Sequence, residues 1–333
     1  MKNFIVILCI AFTLFSCEKG LFEPDKSSSD PHIIFDYLWS EVDKKYSYFD
    51  LKQIDWDQIR IQYEAQIFEG MSEEALFEVL GNMLNELRDD HSNLIAPFNI
   101  SRYDVALRNP ANYSRRLVNE FYIPNARITG AFAHDFLANE RIGYVRYGSF
   151  MDAIDEKSLD HILTRYANTD GLILDLRENG GGSIANIPLL LERFTNERTL
   201  VGYFITRNGT ERTDFGPKAN FFIGAHDGVT YEKPVMVLID RGSYSATTMF
   251  ALATKPFSNV RLVGDTTGGG GGLPNGGQLP NGWIYRFSVS QLLDLNENNY
   301  AESGVAPDIV AAVDFTDLTT DEIIERAIEE ILD

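Results

Sequence analysis

Cysteine is almost missing from this 333-residue chain; the two present are Cys9 and Cys17. Both lie at the amino-terminal end, so the remainder carries no thiol, which excludes a disulfide framework and a thiolate metal site. Positive charge is scarce too: 29 Lys and Arg stand against 49 Asp and Glu, a net charge of −20. That balance argues against nucleic acid or an anionic lipid surface as a partner. Long apolar runs are limited to one, Phe4 to Phe15, broken only by Thr13 and too short to span a bilayer. No internal repeat recurs at a solenoid period. The glycine run Gly268 to Gly272 lacks the lysine and the serine or threonine of a phosphate-binding loop. A flexible or strained loop beside a site is the expectation there. Nothing in these patterns calls for a cofactor or a metal.

What is present begins with a leader. Met1-Lys2-Asn3 and the apolar run that follows have the order and length of a signal peptide, expected over residues 1–16. The run ends in Leu14-Phe15-Ser16-Cys17, which resembles a bacterial lipobox. Cys17 is then the expected lipid attachment point, with residues 17–30 a tether short on apolar side chains. The expected location is the cell envelope, anchored on the periplasmic or outer-membrane face. An ordinary signal peptide with an incidental cysteine is the alternative. The rest is 44% hydrophobic overall, enough for a large core. It divides into an expected helical unit, 31–97, and an α/β core with a C-terminal helix, 98–333.

Phe35, Leu38, Trp39 and Val42 fall on one helix face. Asp55 and Asp57 open a second helix through Ile59, Tyr63 and Ile67. Ser72 is the expected cap of a third, whose apolar stripe runs from Ala75 to Leu87 and delivers Asp89-Asp90-His91 at its end. Residues 99–139 read as loops and a hairpin. Beyond them, strands at 141–147, 171–176, 201–206 and 235–239 alternate with helices at 159–166 and through Leu191, an α/β pattern.

One junction carries chemistry. The buried-strand run Val235 to Ile239 leads to Ser243-Tyr244-Ser245-Ala246, and the apolar helix beginning near Met249 follows. A serine there stands where helix N–H groups point outward, so a nucleophile and an oxyanion hole can be built together. A plain N-cap role for Ser243 or Ser245 is the alternative. The five histidines (His32, His91, His134, His161 and His226) all precede Ser245. The order serine, acid, histidine of the α/β-hydrolases is therefore impossible. His91 stands out, ending a well-signalled helix beside two carboxylates.

Four segments together resemble the C-terminal-processing (tail-specific) serine peptidases, in their tricorn-like and interphotoreceptor-retinoid-binding-protein-like branch. They are Leu87-Arg88-Asp89-Asp90-His91-Ser92, the run from Leu174-Asp175-Leu176-Arg177 to Gly182, Ser243-Tyr244-Ser245-Ala246, and Ala301-Glu302-Ser303-Gly304-Val305-Ala306-Pro307-Asp308. The Leu38-Trp39 and Ile54-Asp55-Trp56 signatures of that family's helical part accompany them. The resemblance implies a crotonase-like (ClpP/crotonase) α/β core with an N-terminal helical bundle, and cleavage of peptide bonds in peptide or protein substrates.

It also implies roles. Ser245 matches the nucleophile, His91 the base and Glu302 the acid of a Ser-His-Glu triad. Asp90 stands where the tricorn protease has a bridging serine, so Asp90 or Asp89 could orient His91 instead of Glu302. Those carboxylates are expected to raise the His91 pKa. Ala246 and either Gly181 or Gly182 are the expected oxyanion donors, with Arg177 bracing their turn. The Ser-Lys branch places a lysine where this chain has Gly270, which excludes that dyad. Ser92 to Glu140 spans 49 residues, too few for the PDZ domain that many members carry, roughly 80 to 100 residues. An inactive binding protein for apolar ligands or peptides on the same scaffold, and an esterase, are the rival readings.

Overall fold

The computed structural model describes residues 27–104 and 112–333. The signal peptide, Cys17 and most of the tether lie outside the described residues. Four helices open the chain: α1 (Pro31–Lys45), α2 (Phe49–Lys52), α3 (Trp56–Glu64) and α4 (Glu73–Asn85). Three start on side-chain caps, with Asp30 accepting from His32 N, Asp55 from Gln58 N and Ser72 from Ala75 N. Each cap takes up an amide that the first helical turn leaves without a partner. The two tryptophans of α1 and α3 lock these helices together. Trp39 and Trp56 stack with ring centroids 6.5 Å apart, and each indole N–H donates 3.2 Å to the other's carbonyl.

Strands β1 (Asn93–Ala96) and β2 (Asn99–Arg102) follow directly on α4. A short turn α5 (Arg115–Leu117) leads to β3 (Arg127–Thr129), β4 (Phe132–Leu137) and β5 (Ile142–Tyr147). Then come α6 (Glu156–Arg165), β6 (Gly171–Asp175), α7 (Asn186–Leu191), β7 (Thr199–Thr206) and β8 (Ala219–Ile223). The last part holds β9 (Val235–Ile239), α8 (Ala246–Ala253), β10 (Val260–Gly264), β11 (Pro274–Gln278), β12 (Ile284–Ser288), β13 (Ser290–Leu293), β14 (Ile309–Val310) and α9 (Glu322–Leu332).

A seven-stranded sheet runs β14-β10-β9-β6-β5-β4-β3, parallel from β14 to β5 and antiparallel beyond. Every residue of β6 and β9 is buried. Both of its faces are covered, which is why those strands read as unbroken apolar runs rather than alternating ones. Apolar residues of α6, α7 and α8 fill one side, and α9 closes the other with Ile323, Ile324 and Ala327. The C-terminal ends of β6 and β9 then face a common edge, where open parallel sheets place their sites.

The helical unit has a sheet of its own, of order β11-β12-β1-β2 and antiparallel throughout. Its inner face, with Leu94, Tyr285 and Phe287, completes the core under α1, α3 and α4 together with Trp283. These strands differ from the sequence expectation, which took residues 31–97 as a helical unit and named no strand between 274 and 293. Strand β1 pairs with β12, almost 200 positions later, so its extended form comes from a partner that local periodicity cannot register. Strand β11, Pro-Asn-Gly-Gly-Gln, has the composition of a turn.

Candidate active site

The chain leaves β9 and turns sharply before α8. Asp240 holds the turn: one carboxylate oxygen accepts from the amides of Glu178, Gly242 and Ser243 at 2.9 to 3.0 Å. Burial pushes this carboxyl up to about 6. Ser243 is fully buried and donates its hydroxyl to Leu176 O at 2.8 Å, so it is a turn residue. Ser245 sits in the N-cap position with φ 57° and ψ −117°, yet its side chain makes no capping hydrogen bond. A non-glycine residue held at positive φ stores strain, of order 1–3 kcal/mol, that the surroundings must over-determine. Here the hydroxyl is turned away from its own helix, and its Oγ lies 2.9 Å from His91 Nε2.

His91 comes from the turn after α4, as its position at the end of that helix predicts. Its backbone N–H donates to Asp89 Oδ1 at 2.9 Å, its Nδ1 lies 3.4 Å from Ser288 Oγ, and its ring meets Tyr244 edge-on at 5.2 Å. With Nε2 accepting from Ser245, Nδ1 carries the proton and donates to Ser288. The surroundings of the ring work against the expected rise in the His91 pKa. Burial lowers it below 6.5, Asp89 opposes the shift, and the charges of Arg286 and Lys52 reinforce it. The expectation counted carboxylates but had no way to count the loss of water around the ring.

The predicted acids are arranged differently from one another. Glu302 is buried and pairs with Lys52, Nζ to Oε1 2.5 Å. Lys52 in turn donates to the carbonyls of Leu87 and Arg88 at 3.2 and 3.0 Å, just before the histidine turn. Burial, reinforced by Asp89, pushes the Glu302 carboxyl up to about 8 despite that ion pair. Asp90 points elsewhere: Oδ1 accepts from Asp104 N at 3.2 Å, and burial raises its pKa. Asp89 is buried, and its Oδ1 also lies 3.5 Å from the Tyr244 hydroxyl. The imidazole Nδ1 therefore meets a serine hydroxyl, and Asp89 is the carboxylate whose charge bears on the ring.

Opposite Ser245 stands the glycine turn that follows β6. A Cβ on Gly181 would lie 2.8 Å from Ser245 Cβ and 2.9 Å from Ala246 N, and one on Gly182 only 2.2 Å from Met151 N. Both positions also have positive φ, 92° and 145°, so glycine is required there. The Gly181 N–H donates to Asn179 Oδ1 at 3.1 Å. No hydrogen bond among the described residues takes the N–H of Gly182 or of Ala246. Arg177, at the start of that run, is fully buried, bound to Asp175 and by two 2.8–2.9 Å hydrogen bonds to Asp321. At Gly270 the space is filled: a Cβ would meet the Tyr244 ring at 2.4 Å, which leaves no room for a longer side chain.

Ser288 and Lys52 were invisible to sequence reasoning. Each is an ordinary residue in its local context, and neither lies in a recognisable motif. Among the described residues no group of three or more His, Cys, Asp or Glu side chains could hold a metal. No described helix is long and apolar enough to cross a membrane.

Comparison with known proteins shows the family. The Peptidase family S41 model matches residues 141–311, just over half of the chain, and the Tricorn protease C1 domain matches residues 29–85. A crystal structure of a candidate peptidase from Parabacteroides merdae is 37% identical, with a TM-score of 0.88 over 92% of this chain and 98% of that one. The crystal structure of the tricorn protease shares the fold, with a TM-score of 0.56 at 15% identity over 91% of this chain and 37% of that one. A carboxyl-terminal-processing protease of Synechocystis sp. is 26% identical over 191 residues, 56% of this chain and 42% of the relative. Carboxyl-terminal-processing peptidase 3, chloroplastic, of Arabidopsis thaliana is 29% identical over 189 residues, 56% of this chain and 34% of the relative. The chain thus spans less than half the length of these curated relatives. With an α/β core behind an N-terminal helical region, this chain belongs to Peptidase family S41.

Proposed function

We propose that the chain is a serine endopeptidase working through an acyl-enzyme on Ser245. The observation that carries this reading is the 2.9 Å approach of Ser245 Oγ to His91 Nε2, made by a serine that does not cap its helix. His91 takes the hydroxyl proton as Ser245 attacks the peptide carbonyl, and returns it to the leaving amine. The N–H groups of Ala246 and Gly182 receive the developing oxyanion, while Gly181 shapes the turn. Ser288 fixes the tautomer, Asp89 supplies the charge that stabilises the imidazolium, and Glu302 acts one layer out through Lys52. The family-matched triad Ser245, His91 and Glu302 is in this reading a dyad with a layered support.

A serine-reactive fluorophosphonate tests it. Wild-type protein should be labelled on Ser245. Ser245→Ala should abolish labelling with a nearly unchanged thermal transition, and His91→Ala should slow it by at least about 10³-fold. Labelling that survives Ser245→Ala but is lost in Ser243→Ala would show the wrong serine has been chosen.

We also infer, from Leu14-Phe15-Ser16-Cys17 alone, a lipid anchor on Cys17 and a location in the cell envelope. Metabolic labelling with an alkynyl fatty acid should mark the wild type and not Cys17→Ala; equal labelling of both would refute the anchor.

A further inference from the structure

The outward face of the four-stranded sheet leads directly away from the catalytic pair. Cross-strand register sets its rows. Nearest the site, Pro274 stands opposite Ser288, the residue beside His91. The next row is Gly276, Arg286, Asn93 and Arg102, and the one after it Gln278, Ile284, Ile95 and Ile100. Side chains alternate along a strand, so these rows share one face, while Tyr285 and Phe287 point into the core. The apolar row is open, with Ile100 62% and Ile284 51% exposed.

The middle row contains an uncompensated charge. Arg102 pairs with Asp104 at 2.6 Å, whereas the Arg286 side chain makes no hydrogen bond or ion pair with any described residue. Arg286 is exposed and lines an open, shallow groove of about 510 Å³ over β11 and β12, and its cross-strand neighbour there is Gly276, which has no side chain to cover it. Its charge is also felt at His91. The reaction gives the groove a direction. His91 must reach the leaving nitrogen, so the segment C-terminal to the scissile bond departs past His91, toward this face.

We propose that this face is a substrate subsite, in which an extended segment on the leaving-group side of the scissile bond lies along the β11–β12 groove and places a carboxylate on Arg286. The inference rests on the serine peptidase reading above. Ser288 and Arg286 are two positions apart on one strand, about 7 Å at ~3.4 Å per residue, so the carboxylate falls roughly two to four residues beyond the scissile bond. It is either an acidic side chain or the chain terminus. An acidic side chain lets the peptide continue over Ile284 and Ile95, whereas a terminus ends it at Arg286.

The experiment uses fluorescent peptides of one sequence with Glu or Gln at each of the four positions on either side of the bond. A second set ends at each leaving-side position as the free acid or the amide. Their Kd is measured on Ser245→Ala, which reads the subsite without turnover, and kcat/KM on the active protein. The expected result is a roughly three- to tenfold preference for the carboxylate form on the leaving-group side, shrinking with added salt. The acid-to-neutral ratio should fall to about one in Arg286→Gln, reverse in Arg286→Glu and survive in part in Arg286→Lys. The terminal set separates a C-terminal carboxylate from a side chain. A ratio near one in the Ser245→Ala titrations, a ratio that Arg286→Gln leaves unchanged, or a preference confined to the other side of the bond overturns the proposal. Discrimination in binding with no cleavage and no fluorophosphonate label would instead sink the peptidase reading alone.

Discussion

Lys52 shows how a single side chain can govern the site without touching a reacting atom. Its ammonium satisfies one oxygen of Glu302 and two carbonyls of the turn that carries His91. Lys52→Met leaves a buried carboxyl without its counter-charge, a class of change that costs about 3–5 kcal/mol when both groups are charged. The raised Glu302 pKa moderates this, because a neutral carboxyl tolerates burial. A purely structural role would end there, but Lys52 also depresses the His91 pKa. The acid limb of kcat/KM should therefore lie below pH 6.5 in the wild type and move upward in Lys52→Met, with Lys52→Arg restoring part of the shift. A wild-type limb above 6.5 would contradict the burial argument, and an unmoved limb in Lys52→Met would reduce Lys52 to a structural tie.

The run after β6 and the C-terminal helix α9 are tied together by one buried ion pair, Arg177 with Asp321. Asp321 caps α9 by accepting from Ile324 N at 3.1 Å and also binds Arg177, with both side chains fully buried. One residue thus secures a helix and the buried arginine that precedes the glycine turn. Asp321→Ala removes the cap and strands the arginine charge, so a loss on the order of 3–5 kcal/mol is expected. Urea unfolding measures that loss. Fluorophosphonate labelling in the folded fraction should slow as well, because Arg177 lies three residues before Gly180 and a shift of its buried side chain moves the start of the glycine turn. Unchanged stability would mean that Arg177 finds enough compensation in Asp175 alone.

Across the whole molecule, burial sets how stability depends on pH. Glu302 is raised to about 8, so the neutral form is favoured on folding; its contribution is complete below its ordinary value of 4.5 and lost as pH rises through 8. His134 is lowered to about 4 by burial, so its contribution is present above 6.5 and lost as pH falls through about 4. The two windows leave a maximum on the mildly acidic side of neutrality. Urea midpoints should decline from there toward pH 9, and Glu302→Gln should flatten that alkaline decline. An unchanged decline in Glu302→Gln would assign it to other groups.

Much of this protein was legible before any tertiary information. The cap at Ser72, the acidic start of α3, the faces of α1, α3 and α4, the alternation of β5 and the apolar runs of β6 and β9 all follow from local chemistry and periodicity. Ser245 could be read from its strand-to-helix junction, and chain order excluded the α/β-hydrolase arrangement. The match to His91 and Glu302 came from the resemblance of four separated segments. The tertiary structure alone decided what surrounds those residues. Ser245 meets His91 across 154 positions and Ser288 meets His91 across 197. Lys52 reaches Glu302 from the opposite end of the chain, and β1 becomes a strand because β12 arrives beside it. The direction of the His91 pKa belongs to the same class. Sequence lists the charges a ring can meet, but desolvation depends on how completely the fold removes water, and at this site burial outweighs the neighbouring carboxylate.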